Sequence, residues 1–400
     1  MSDILSIGSS AVAAYQRALG TVSNNIANIS TDGYTRQTTN LSAGAPQNLA
    51  GIYLGTGVKL DGIKREFSEF VESGLRNSFS GLTTQTPLLQ YANRILDVMG
   101  GENVSLTPAL DKFFASARAL SADPSSTDLR SVFLRDADGL ASRFRELDSQ
   151  ISGVESDTRA ELNDNLSKLG GLANQLAQIN AQMRANSDVA RQSPELLDQR
   201  DKVLRDMSKL AGIQVTQKAN GEVSVSLGLS SGEGMIVDGS TARSISASFN
   251  DGSAGKVDIV IDPYGHPTTI SGINGGTVSG LLSFRQQALE PIQNKLDYLV
   301  RSVADAVNEI HRNGVDARGN QGEDLFTIDP VFKLDKLTST SPLGVSFSVL
   351  DNASAAYHDI RLRYEDVRDQ TASELQGRLV TKLAWTATDL VSGEKAELNP

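Results

Sequence analysis

Leu5, Val12, Leu19 and Ile26 stand seven residues apart, and Gly8, Tyr15, Val22 and Ile29 repeat that spacing three positions later. These are the a and d rows of a heptad, so the N-terminal segment should form a helix of roughly 40 Å at 1.5 Å per residue with one narrow apolar seam. Gln16, Arg17, Ser23 and Asn24 lie off that seam. A stripe this narrow is stabilised by packing rather than by propensity, and Gly8 with Gly20 lowers helicity by about 2 kcal/mol together relative to Ala. The helix is therefore expected to be mobile in the monomer until another surface covers its seam. Ser30, Thr31, Asp32 and Gly33 are turn formers that end it before Tyr34.

The same period returns twice. Leu162, Leu169, Leu176 and Met183 are seven apart, with Leu172 and Ile179 as the companion row. Leu282, Leu289, Leu296, Val303 and Ile310 follow the same rule, with Ile292, Leu299 and Ala306 beside them. Helices are expected at about 64–99, 107–121, 126–186 with breaks, 193–211 and 277–312, with Pro291 kinking or starting the last. Residues 37–64 carry six glycines or prolines among short apolar runs and read as extended loops with one hairpin. Between Ile213 and Gly276 the period changes to two, and Asn220-Gly221 predicts a type I′ hairpin with φ above zero at both positions. Beyond residue 344, Val345, Phe347 and Val349, then Ile360, Leu362 and Tyr364, alternate as strands do.

The expected fold class is multidomain α+β, with long coiled-coil-like helices forming a bundle and β-rich inserted and outer pieces. Residues 1–46 are the core-forming helix and its following motif. Residues 47–335 are a helical domain with a β-rich insert at about 213–275, and 336–400 a β-rich outer domain that stops in mid-domain. A chain of 400 residues suits several compact units rather than one.

Composition removes several function classes. Lys plus Arg number 37 against 48 Asp plus Glu, a net charge of −11, which argues against nucleic acid and against an anionic membrane as partners. Cysteine is absent, so there is no disulfide framework, thiolate nucleophile or cysteine-ligated metal. No run reaches the ~20 apolar residues of a membrane helix. The start Met1-Ser2-Asp3, with its first basic residue at Arg17, is unlike a cleaved secretory signal, so the chain stays inside or leaves by another route.

No catalytic, cofactor-binding or metal-binding residue is assigned. The nucleophile-elbow, phosphate-loop, zincin, dinucleotide and EF-hand patterns are all missing. His266, His311 and His358 are widely separated, and His311 reads as an ordinary helix C-terminal histidine. Asp316, Asn320 and Asp324 have the wrong spacing for calcium and read as a solvated loop. Arg143-Phe144-Arg145-Glu146 and Asp198-Gln199-Arg200-Asp201 mix signs and read as solvated helix faces.

Ser23-Asn24-Asn25-Ile26-Ala27-Asn28, followed by Thr31-Asp32-Gly33-Tyr34-Thr35-Arg36-Gln37, resembles the N-terminal signature of the bacterial flagellar rod, hook and hook-associated proteins. Asn24, Asn25, Asn28, Thr31, Gly33, Tyr34 and Arg36 carry it. Glu195-Leu196-Leu197-Asp198-Gln199-Arg200-Asp201, the Asn220-Gly221 hairpin, and Gly275-Gly276 leading to Arg285, Asn308, His311 and Gly314 are similar to the hook-associated members at the hook–filament junction. The resemblance covers about residues 1–335. It implies a non-enzymatic structural adaptor outside the cell, exported by the flagellar type III route. Leu5, Val12, Tyr15, Leu19, Val22, Ile26 and Ile29 would be its assembly seam. It further implies as partners copies of itself in a junction ring, the hook subunit, a second junction protein and an export chaperone. The family pairs its N-terminal helix with a C-terminal one, and none is legible before Pro400, so a shortened chain lacking that helix and the chaperone site is expected. The alternatives are a hook or rod subunit, or an axial protein carrying a cell-wall hydrolase.

Overall fold

A computed structural model describes residues 2–49, 51–100, 105–186, 188–228, 234–249, 254–262, 265, 267–270, 272–316 and 318–328, and the segments 360–368, 381–389 and 395–398. Its contacts divide the chain into two compact units, residues 1–94 with 154–286 and residues 95–153 with 287–400.

In the first unit, helix α1 (Ser2–Ala27) is followed by turns in which Thr31 N–H donates to Asn28 and Tyr34 N–H to Thr31. Gly33 has φ +87°, and a Cβ there would stand 3.3 Å from the Lys202 side chain, so the site requires glycine twice over. The segment expected to be mostly loop is two nested hairpins. β1 (Gln37–Ala43) pairs with β4 (Val58–Arg65) from Gln37 opposite Arg65 to Ala43 opposite Val58, with a bulge at Asn40/Leu41. β2 (Gln47–Leu49) pairs with β3 (Ile52–Leu54) between them.

Helix α2 (Glu69–Gly100) keeps Glu72, Arg76, Ser80, Tyr91 and Ile95 buried. Its opposite face leaves Leu75, Leu82, Leu89 and Leu96 exposed at heptad spacing, a fourth such row that the sequence reading passed over. α3 (Thr107–Ala122) and α4 (Thr127–Met183) follow. α4 is unbroken, although Gly170 and Gly171 cost about 1 kcal/mol each. Leu162, Leu169, Leu176 and Met183 are fully buried, and each such side chain contributes ~1.5–3 kcal/mol, which outweighs both glycines. Of the companion row Ile179 is buried but Leu172 only half-buried, and Leu166, Ala173 and Asn180 are buried as well.

A short 3-10 helix (Val189–Arg191) leads into α5 (Pro194–Leu210). β5 (Ile213–Gln217), β6 (Val223–Leu227), β7 (Met235–Asp238) and β8 (Thr241–Ala242) form a meander in that order. The type I′ expectation fails. Gly221 N–H bonds the Lys218 carbonyl at 3.0 Å, so Ala219 and Asn220 are the central pair and Gly221, at φ +88°, follows them as the left-handed residue of a bulged hairpin. Asn180 of α4 fastens the meander by donating to the Val223 and Gly239 carbonyls at 2.8 and 2.7 Å and accepting Val223 N–H at 3.0 Å. β9 (Ser244–Phe249), β10 (Val257–Asp262) and β11 (Thr268–Ile270) form a second sheet with β10 central.

The last helical stretch is not one continuous heptad. α6 (Gly276–Phe284) passes through a π-helical turn (Arg285–Leu289) into α7 (Glu290–Asn313), with Pro291 in the first turn of α7. Proline has no N–H to give the preceding turn, and the wider turn accommodates it while shifting the helical phase. Of the expected rows, Leu289 is buried and Leu296 and Val303 pack on the core of the second unit, whereas Leu299 and Ile310 are exposed. In the second unit Phe113, Ala137, Leu140 and Phe144 form a core that Val300, Val303 and Val307 of α7 cover. Val345, Phe347 and Val349 lie outside the described residues. Ile360, Leu362 and Tyr364 fall in β12 (Ile360–Arg368), which pairs antiparallel with β13 (Thr381–Asp389), and β13 with β14 (Lys395–Leu398).

Candidate assembly interface

α1 has two faces with the same spacing. On one, Leu5, Val12, Tyr15, Leu19, Val22, Ile26 and Ile29 are all exposed, Leu19 at 66%. On the other, Ala14 and Thr21 are buried, and Ala11, Ala18, Asn25 and Asn28 are partly buried, where the helix lies on β1 and β4. Small side chains let the helix approach the ladder closely. The large ones face away from the ladder. The helix is thus held within the monomer by the face that sequence reasoning ignored. Rows 11, 18, 25 and 14, 21, 28 are themselves heptads, and that was the available signal.

The signature residues close a polar lock at the end of this docked face. Asn25 donates to the Gln37 carbonyl and accepts Gln37 N–H, both at 2.9 Å, and accepts the Tyr34 hydroxyl at 2.8 Å. Asn28 donates to Asn24 Oδ1 at 2.9 Å and accepts from Thr31 Oγ1 at 3.1 Å. Arg36 contributes its carbonyl, which accepts Glu66 N–H at 2.9 Å, while its side chain is exposed. Gln37 and Thr35 belong to the lock and were not among the predicted residues. Burial pushes the Tyr34 phenol above its ordinary pKa, with Asp198 and Glu195 adding to the shift, so it remains a donor at neutral pH.

α5 receives this lock, and its charges are not the solvated face expected of them. Asp198, Arg200 and Asp201 are buried, Arg200 at 2% exposure. Arg65 at the end of β4 reaches Asp198 at 2.6 Å and Asp201 at 2.8 Å through its two terminal nitrogens. Asp198 also accepts Thr35 N–H at 3.0 Å. Arg200 bonds Asp201 through Nε and Nη2 at 2.8 and 2.6 Å and gives its remaining nitrogen to the Gly221 carbonyl at 2.9 Å. Two cations and two carboxylates balance, which is how burial of all four is tolerated. Gln37 donates to Glu195 at 3.3 Å, and Lys202 pairs with Asp32. The other run is divided: Phe144 is buried, Arg143 pairs with Glu146 at 2.5 Å with its side chain largely covered, and Arg145 is exposed.

Among the described residues no group of three or more His, Cys, Asp or Glu is placed to hold a metal, and no helix is long and apolar enough to cross a membrane. Asp316 accepts Arg318 and Asn320 N–H at 2.8 Å each, and these bonds hold its carboxyl below the usual range. Asp324 is turned to Arg312 at 2.6 Å, so the three loop residues do not converge. His311 Nδ1 faces the Glu323 carbonyl, whereas His266 and His358 lie outside the described residues.

Comparison with known proteins finds relatives along most of the chain. The family described as flagellar hook-associated protein FlgK helical domain matches residues 92–326, more than half of the chain, and the flagella basal body rod protein family matches residues 5–35, which hold most of α1 and the turn after it. The chain is 30% identical to flagellar hook-associated protein 1 of Salmonella typhimurium over 98% of its own length and 71% of that protein's. It is 27% identical to the Bacillus subtilis protein of the same name over 86% of its length and 74% of that protein's. Its fold is similar to the structure of the flagellar hook junction protein FlgK from Burkholderia pseudomallei, with a TM-score of 0.58 at 24% identity, covering 83% of this chain and 57% of that one. The chain belongs to the flagellar hook-associated protein 1 family, the structural, non-enzymatic hook-junction proteins of the bacterial flagellum.

Proposed function

We propose that this chain is the adaptor joining hook to filament and that its copies assemble side by side through the α1 seam. The observation that carries this is the division of α1: its small-residue face is docked within the chain while its complete large-apolar row faces outward. Six aliphatic side chains at ~1.5–3 kcal/mol each give ~9–18 kcal/mol gross when covered. Association costs ~4–15 kcal/mol, so one such contact is marginal and a ring of contacts on a templating hook end is not. The partners are further copies, the hook subunit, a second junction protein and an export chaperone, with passage through the flagellar type III route. The match of residues 92–326 to the hook-associated helical domain favours this over a hook or rod subunit.

Deleting the gene should leave hooks intact while filament subunits escape into the medium. Electron microscopy showing normal, attached filaments in the deletion strain refutes the proposal.

A further inference from the structure

The polar contacts that tie the α1 and β1/β4 module to the rest of its unit end on one stripe of α5. Glu195 takes Gln37, Asp198 takes Thr35 and Arg65, Asp201 takes Arg65, and Lys202 takes Asp32. These positions are three or four apart and so share a helical face. We infer that this stripe is a positioning device that sets the direction in which the α1 seam is presented, with Asp198 and Arg65 as its positioning residues. The inference rests on the assembly role proposed above.

The chemistry of the contact supports orientation over adhesion. Buried ion pairs lose in desolvation much of what they gain in attraction, so they add little net stability relative to apolar packing. Their geometry is restrictive, however. A guanidinium is a planar fork, and Arg65 spreads it across two carboxylates one turn apart, so a slide of β4 along α5 breaks both bonds. Asp198 uses its second oxygen on Thr35, which fixes the signature segment to the same point. α1 follows the β1/β4 ladder because Asn25 is clamped to Gln37, and the ladder follows α5 through Arg65. α5 is in turn fixed to the β5–β6 turn by Arg200 on Gly221, and β6 to α4 by Asn180. Seam direction is thereby referred to α4 through a chain of directional bonds.

The absence of cysteine makes the test direct. Spin labels on Leu19→Cys and Ser167→Cys report the direction of α1 against α4, and labels on Ser167→Cys with Ser240→Cys report the meander, all at exposed sites. Asp198→Asn keeps the size of the side chain and an acceptor for Thr35 but removes the charge facing Arg65. Arg65→Met removes the fork from the other side. Each variant should widen the Leu19–Ser167 distance distribution by about twofold and leave the Ser167–Ser240 distribution unchanged. A strain carrying Asp198→Asn should lose filament attachment severalfold at normal protein level. An unchanged Leu19–Ser167 width, equal widening of both pairs, or normal attachment despite a widened distribution would each overturn the inference. Leu19→Asp, which leaves α5 untouched, tests the assembly role by itself, so failure of that role is separable from failure of the positioning device.

Discussion

Asn25 grips the backbone of Gln37 from both sides, giving its amide N–H₂ to the carbonyl and its carbonyl to the N–H, each at 2.9 Å. A side chain on a helix thus makes the pair of bonds that a neighbouring strand would make, at a residue that is 4% exposed. Removing it strands two buried backbone groups and takes away the acceptor of the Tyr34 hydroxyl. Asn25→Ala should destabilise the N-terminal module by about 2–4 kcal/mol, at roughly 1–3 kcal/mol per unsatisfied group with partial relief by water. Hydrogen exchange at residues 34–38 should accelerate accordingly. Exchange unchanged from the parent would show that the grip is dispensable.

Gly221 lies behind its turn with φ +88°, and a Cβ there would sit 3.0 Å from Val189 Cγ2 and 3.5 Å from Leu197 Cδ2. Backbone strain and crowding act together, so Gly221→Ala should cost about 1–2 kcal/mol or more in urea unfolding. A cost below about 0.5 kcal/mol, the range of an ordinary surface change, would contradict the bulged geometry.

The elements that were legible from sequence are those in which burial selects large apolar side chains at a single spacing. α4 is the clearest, since Leu162, Leu169, Leu176 and Met183 are buried together and two glycines could not interrupt them. Three features were hidden for physical reasons. The docked face of α1 is made of Ala, Thr and Asn, residues that look neutral in a hydrophobicity pattern because close approach rather than greasy volume is their contribution. The α5 charges looked solvated because what neutralises them, Arg65, is 133 positions away from Asp198. The hairpin type turned on Ala219 entering the turn ahead of Asn220, a register that a dipeptide rule does not encode. The signature itself was found by resemblance, and only the geometry shows that its asparagines act as backbone clamps.

Asp297 in α7 is exposed at its surface, yet desolvation by the protein around it raises its pKa above the ordinary value, with Asp148 adding to the rise and Arg301 opposing it. The folded chain therefore holds this proton to higher pH than the unfolded chain does. Stability falls as pH rises from the ordinary carboxylate range through the raised value, and the penalty is constant above it. Asp297→Asn should raise Tm at pH 7 and leave it nearly unchanged at about pH 3, below the ordinary carboxylate pKa. Equal shifts at both pH values would show that the substitution acts through packing instead.

Leu19 and Ala14 lie on different faces of the same helix. Ala14 is 4% exposed against the chain's own ladder, and Leu19 points away from it. Leu19→Asp should therefore alter monomer stability by less than about 0.5 kcal/mol, because an exposed leucine exchanged for an exposed carboxylate leaves every docked contact in place. In an assembly the same carboxylate would be buried without a cation and would cost several kcal/mol per copy. Repeated around a ring, that penalty should abolish incorporation at the hook tip and release filament subunits, although the protein is made and folded normally. Ala14→Leu should do the reverse, overfilling the docked face and destabilising the monomer by about 1–3 kcal/mol before any assembly begins. Matched unfolding curves and swimming assays on the two variants check both statements, and normal motility in the Leu19→Asp strain would show that the exposed row is not the assembly surface.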